Sequence, residues 1–286
     1  LGSIQSAVQF VREGKLGKIK YVKGMCYKAR QSIGLGGNGE IPEGVNYDLW
    51  CGPAELESPL RRKRFHYDWH WFYAYGNGDM GNQGIHQMDV ARWYLGEDKI
   101  APRSMSIGGR LGYEDDAETP NTQLVYHDYD EAPLLFETRG LPESKAGQEN
   151  WAKSMESPDH FEGESGVAVV VACEGGFVYT SAGGKIIVKD TDGKEMPAPE
   201  AFETENNFEN FITAVKSRKV EEQYADCEET HLSSALCHTG LISHRLGAAL
   251  KKDEVLEKIK DDALLTDRFT SMSDHLGRNG VDLTKE

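Results

Sequence analysis

Apolar positions follow different rules in different parts of the chain. In "IQSAVQFVREGKLGKI" they recur at Ile4, Ala7, Val8 and Val11 and stop at Gly14 and Gly17, the spacing of an amphipathic helix closed by glycine. This predicts a linking helix over residues 1–15 that passes into a strand through the alternating "KIKYVKGMCYKAR". No period holds between Gln31 and Asn77, where turn residues alternate with Trp, Tyr and His; a long aromatic loop in a compact chain is more often a site than a linker. From Pro102 short alternating runs take over: "PRSMSIGGRLGY", "TQLVYHDY", "APLLFETRG" and "GVAVVVACEGGFVYTSAGGKIIVKDTDGKEM". The turn signals "EGG", "AGG" and "TDG" inside the last of these mark hairpins and imply a largely antiparallel sheet. Polar residues 142–165 read as a surface excursion between two strands. "FENFITAVKSRK" and "CEETHLSSALCHTGLISHRLGAALK" are amphipathic helices, the first closed by Ser217-Arg218-Lys219 and the second interrupted by Gly240. Together they are expected to cover one sheet face. The resulting expectation is a single α+β domain over residues 1–286, with a large, mostly antiparallel open sheet and helices packed on one face. The other face would then meet a second copy in a flat dimer or a tetramer.

One helix stands apart. "GNGDMGNQGIHQMDVARWYLG", Gly76 to Gly96, predicts a helix from Asp79 to Leu95, with Asp79 or Asn82 capping it and Gly96 stopping it. At about 100° per residue, Asn82, His86, Asp89 and Trp93 share a side, with Met80, Gly84, Met88, Ala91 and Leu95 opposite. The polar side lacks the Lys and Glu of a wet surface. Spacing alone leaves two readings open, a satisfied His–Asp pair at a core margin or a site. Upstream, "HYDWHWF" (His66–Phe72) crowds two His and two Trp among other aromatics. Such density suits a sugar or polyol, because aromatic faces bury ring C–H surface while imidazoles bond hydroxyls; a packed aromatic corner is the alternative.

Other motifs weigh less. "GLGGNGE" (Gly34–Glu40) lacks a following helix, so it is not a dinucleotide loop, and nothing else in the chain satisfies that fingerprint. His231, His238 and His244 have no ligand-type neighbours and read as core or interface residues rather than a metal site. "LRRKR" (Leu60–Arg64), the one strong basic cluster, reads as a solvated loop.

Composition narrows the partners. With 32 Lys and Arg against 47 Asp and Glu, the net charge of −15 repels nucleic acid and anionic membranes. The run "VAVVVAC" is far shorter than the ~20 residues that span a bilayer. Five scattered cysteines form neither a disulfide framework nor a zinc site, which fits a reducing, cytoplasmic setting.

Taken in order, "GKLGKIKYV", "YDLWCGPA", "WHWFYAYGNGDMGNQGIHQMDVARWYLG", "NFENFITAVKSRK" and "ETHLSSALCHTGLISHRLG" closely resemble the C-terminal portion of the Gfo/Idh/MocA oxidoreductases. The resemblance runs over nearly the whole chain, and "GNQGIHQMD" with "ETHLSSALCH" are specific in combination. It implies a substrate-binding, oligomer-forming domain that normally follows an NAD(P)-binding Rossmann domain. That domain's glycine fingerprint and E-K-P lysine are absent here, so further chain is expected ahead of Leu1, and the fragment alone is expected to hold no tightly bound cofactor. The implied activity is dehydrogenation of a sugar or polyol. His86 would be the catalytic base, with Asn82 where relatives often carry Asp; an amide orients a hydroxyl but cannot pair ionically with an imidazolium. Lys28, Arg30, Trp69, His70, Trp71 and Tyr75 would shape the substrate pocket, and Trp50 would sit near the nicotinamide. Because some members of this superfamily cleave glycosidic bonds through transient NAD oxidation, a glycosidase remains an alternative, as does a non-redox carbohydrate-binding module.

Overall fold

The computed structural model describes residues 1–36, 39–54, 62, 64–147 and 155–284. Runs rich in β-branched and aromatic residues form β1 (Ile19–Cys26), β2 (Arg103–Gly109), β3 (Thr122–Asp128), β4 (Leu134–Arg139), β5 (Val167–Cys173), β6 (Gly176–Ser181), β7 (Ile186–Asp190) and the short β8 (Glu195–Met196). They build one eight-stranded open sheet in the order β2-β3-β4-β1-β5-β6-β7-β8. Only β1 and β4 pair in parallel, with Val22 opposite Leu134 and Gly24 opposite Phe136; the other neighbours are antiparallel. The three turn signals fall at the β5–β6, β6–β7 and β7–β8 reversals. There Gly184 and Gly193, both at φ 81, take the left-handed conformation that tight reversals require.

The helices are α1 (Gly2–Arg12), α2 (Tyr47–Cys51), α3 (Gly78–Asn82), α4 (Gly84–Leu95), α5 (Asn207–Ser217), α6 (Cys227–Leu246), α7 (Lys252–Ile259) and α8 (Ala263–Arg278). On the first sheet face, Val22, Val125, Phe136 and Val171 pack against Ala7 of α1, Met80 of α3, Met88 and Ala91 of α4 and Leu236 of α6. α6 runs unbroken through Gly240, contrary to the sequence expectation. A Cβ at Gly240 would lie 2.8 Å from Met80 Sδ and 3.0 Å from Val125, so this glycine serves close packing rather than a break. α5 also departs from expectation, because it leans on the turn Val220–Glu222 instead of the sheet. Asn210 Nδ2 donates to the Glu222 carbonyl at 2.7 Å and its Oδ1 accepts from Tyr224 N–H at 3.0 Å, and Phe208 is left 77 % exposed.

The second face carries a layer of its own. Leu265, Phe269, Met272 and Leu276 of α8 lie over Leu124 and Leu135, while Phe161 covers Met25, Val170 and Tyr179. Charges are buried in the same seam. Lys23 Nζ, 1 % exposed, donates to Asp159 at 2.7 Å, and Arg268 pairs with the same carboxylate. Burial pushes the Asp159 carboxyl up, but Lys23 and Arg268 outweigh it and hold the group well below the usual range. Glu137 accepts from Arg139 at 3.0 Å and from the Tyr27 hydroxyl. The second face, expected to be free for a flat dimer, is therefore partly covered from within the chain, by α8 over β3 and β4 and by Phe161 over β1, β5 and β6, with Asp159 answering the Lys23 charge.

One buried group gives stability a pH dependence. His127, 0 % exposed, shares a 2.8 Å hydrogen bond with Ser104, and burial pulls its imidazole down to about 3. Above the unfolded-state value of about 6.5 both states are neutral. Between there and the folded value only the unfolded chain binds the proton, so stability is lost as pH falls. Urea unfolding at pH 7 and pH 5 is expected to show His127 contributing a loss of about 2 kcal/mol over that interval, and His127→Gln is expected to flatten the difference by that amount.

Candidate active site

The helix expected over residues 79–95 is divided at Gln83. α3 ends at Asn82, α4 starts at Gly84, and neither has a side-chain cap. Gly81 and Gly84 weaken helix continuity there. Asp79 does not cap because Arg30 claims it: Arg30 Nε and Nη2 donate to its two oxygens at 3.1 and 2.7 Å, with both side chains largely out of solvent. Gly96 ends α4 in the left-handed conformation at φ 73, as its sequence predicts.

Arg30 lies just beyond β1 and gathers the neighbourhood. Its Nη1 donates to the Tyr67 hydroxyl at 3.3 Å, and its guanidinium lies 5.7 Å from the centre of the Trp71 ring. Arg110 approaches the same ring at 5.8 Å. Trp71 is buried, with both guanidiniums near its ring, rather than facing solvent as a pocket-lining residue would. Lys28 is half-buried and carries no ion pair among the described residues. It acts with Arg30 and Asp79 on the Cys26 thiol, which burial pushes up.

Trp69 is half-exposed and stacks on His70, ring centres 3.9 Å apart at 16°. His70 Nδ1 meets the Tyr67 carbonyl, so it carries the hydrogen and donates. A second aromatic group joins Trp50 to Tyr47 (5.8 Å, stacked), Phe65 (4.7 Å) and Tyr75 (5.0 Å), with the Tyr47 and Tyr75 hydroxyls 3.0 Å apart. Gly76 packs so closely on the backbone of His70 that a Cβ would lie 2.9 Å from its carbonyl oxygen. The aromatic turn is thereby tied to the start of α3.

Asn82 and His86 are both exposed, on the polar side that helical spacing predicts. The pairing of His86 with Asp89 does not form. Asp89 accepts from Ser233 of α6 and lies 3.7 Å from Arg92, and burial raises its carboxyl above the ordinary range. With Asp79 held by Arg30, the His86 ring has no carboxylate or hydrogen-bond partner among the described residues.

Spacing offered no signal for the supports beneath this site. Asp115, fully buried, accepts from Arg110 at 3.0 and 2.6 Å and from Ile33 N–H at 2.9 Å. Burial pushes its carboxyl up, while Arg110 and the backbone N–H groups outweigh this and hold it low. Arg62 is also buried, bonded to Asp68 at 3.2 Å and Asp116 at 2.6 Å, which corrects the solvated reading for this residue, whereas Arg64 is exposed as that reading expects. The carboxylates that neutralise it are distant or uninformative in sequence. Leu60, Arg61 and Lys63 of that cluster lie outside the described residues, as do parts of the 34–40 loop and of the 142–165 excursion. His231 and His238 are exposed on α6, and His244 is half-buried.

Residues 25–146 match the family model described as the oxidoreductase family, C-terminal alpha/beta domain. No curated protein matches the chain. Among solved structures, the WlbA dehydrogenase from Bordetella pertussis, in complex with NADH and UDP-GlcNAcA, is 14 % identical at a TM-score of 0.51, covering 86 % of this chain and 58 % of that one. The aldose-aldose oxidoreductase from Caulobacter crescentus, complexed with glycerol, is 12 % identical at a TM-score of 0.54, covering 87 % and 60 %. Such likeness is one of fold. The chain spans about three fifths of the length of these structures.

Proposed function

We propose, from the match of residues 25–146 to the oxidoreductase-family C-terminal alpha/beta domain model, that this chain is the substrate-binding and proton-accepting part of an NAD(P)-dependent dehydrogenase acting on a secondary alcohol of a sugar or polyol. The observation that carries the reading is the exposed Asn82–His86 edge, free of any carboxylate partner among the described residues. The Arg30–Asp79 pair ties the start of that helical segment to an aromatic turn bearing Trp69.

Among the described residues, none is placed to hold a dinucleotide in the strand–glycine turn–helix manner. The glycine cluster at 34–39 is followed by no helix before Tyr47 among the described residues, so no helix N-terminus receives a pyrophosphate. On this reading the cofactor is held by protein outside this sequence, with Trp50 toward its nicotinamide. When bound it supplies the hydride acceptor. The residues here handle the rest of the substrate. Trp69 offers a flat face to sugar C–H groups, Lys28 and Asn82 bond hydroxyls, and Tyr75 closes the side next to Trp50. In a dehydrogenation of this kind, His86 would take the hydroxyl proton of the substrate on its exposed ring nitrogen. Arg30 acts as a positioning residue through Asp79.

The complete protein, loaded with NAD+ or NADP+ and screened against a panel of sugars and polyols, is expected to form reduced nicotinamide, read by its absorbance, with at least one of them. Absence of reduction across the panel, from protein that binds the cofactor, would overturn the reading.

A further inference from the structure

Beside the edge strand β2 lies a cavity of about 500 Å³, floored by Phe269, Met272 and Leu276 of α8 and flanked by Ile107 and Leu111. The floor belongs to the buried core under the second sheet face. The volume falls within the range of small-molecule pockets, and an apolar cavity of this kind favours an apolar guest over water. Its charge is unusual for this chain. Although 47 of 286 residues are acidic, no Asp or Glu lines the cavity, whose charged lining residues are Lys252 and Lys258 of α7. Neither ammonium has an ion-pair partner among the described residues, whereas Lys260 on the same turn of chain pairs with Glu257. Lys252 is half-buried at the cavity wall.

An apolar chamber whose charged lining is cationic selects a ligand with a hydrocarbon body and one anionic end. We infer that this cavity binds a free medium-chain fatty acid, its alkyl chain against Ile107, Phe269 and Met272 and its carboxylate at Lys252. The site shares no residue with the Asn82–His86 edge or the aromatic turn, and it stands whether or not the proposed dehydrogenase activity does.

The test is titration of the chain with octanoate, decanoate and dodecanoate below their micelle concentrations, followed by the methyl resonance of Met272 and by calorimetry. Affinity is expected to rise about tenfold for each added pair of methylenes, and decanol is expected to bind about tenfold more weakly than decanoate. Lys252→Glu, a change at the rim, is expected to weaken decanoate about tenfold and leave decanol unchanged. Ile107→Trp fills the chamber and is expected to abolish both, with circular dichroism verifying the fold. If Ile107→Trp disturbs the sheet, Lys252→Glu decides alone. Equal affinity for decanoate and decanol, insensitivity to Lys252→Glu, no perturbation of Met272 at millimolar ligand, or sedimentation showing that a second copy fills the cavity would each overturn the inference.

Discussion

Asp79→Ala is expected to destabilise the protein by about 3–5 kcal/mol, measured by urea unfolding at neutral pH. Asp79 is almost completely buried and receives both forks of Arg30, whose own side chain is 15 % exposed. Removing the carboxylate leaves a guanidinium that burial disfavours and whose side-chain hydrogen bonds, among the described residues, go only to Asp79 and the Tyr67 hydroxyl. The loss should belong to the pair rather than to Asp79 alone. Removing both charges together, as Arg30→Met with Asp79→Leu, is expected to recover most of the stability, because no uncompensated ion then remains. A double mutant as unstable as Asp79→Ala would show that the pair organises the turn through geometry instead of charge. The exposed pair Arg103–Asp128, at the sheet edge, is the control; its disruption is expected to leave the unfolding midpoint nearly unmoved.

The same contrast separates what the sequence could show from what it could not. Local patterns were legible. Alternation and glycine turn signals marked β5, β6 and β7 with their reversals, and helical spacing set Met80, Met88 and Ala91 inward and His86 outward. These features depend on neighbours within a few residues. The parallel pairing of β1 with β4 joins residues more than a hundred positions apart, and no local signal encodes it. The charged residues misled for a related reason. Arg62 looks like part of a wet basic loop until Asp68 and Asp116 are placed around it. Lys23 interrupts the apolar run of β1 until Asp159 covers it. α5 makes the opposite point, since its apolar stripe of Phe208, Phe211 and Ile212 lies outward, so amphipathicity there did not predict contact with the sheet. Helical spacing placed Asn82 and His86 on one polar side, and both are exposed although the helix divides at Gln83 between them. The aromatic turn was found by density alone, while its anchors Arg110 and Asp115 carry no recognisable spacing.

His86→Ala in the complete, cofactor-loaded protein is expected to lower turnover by about 10²–10⁴-fold, the usual contribution of a positioned general base. Cofactor affinity and the melting temperature should be unchanged. The ring is exposed and has no hydrogen-bond or ion-pair partner among the described residues, so its loss leaves no buried group unsatisfied and opens no cavity. This separates it from Asp79, where activity and stability would fall together. Because nothing else among the described residues bonds the imidazole, the space it vacates is reachable from solvent, and added imidazole is expected to restore part of the lost turnover in His86→Ala. Asn82→Ala removes a neutral hydrogen-bonding group and no proton acceptor. It is expected to raise KM with a smaller change in kcat, about tenfold in kcat/KM. Turnover in His86→Ala equal to that of the unaltered protein would remove His86 from the reaction. A loss of turnover that imidazole does not rescue, accompanied by a lower melting temperature, would assign the ring a structural role.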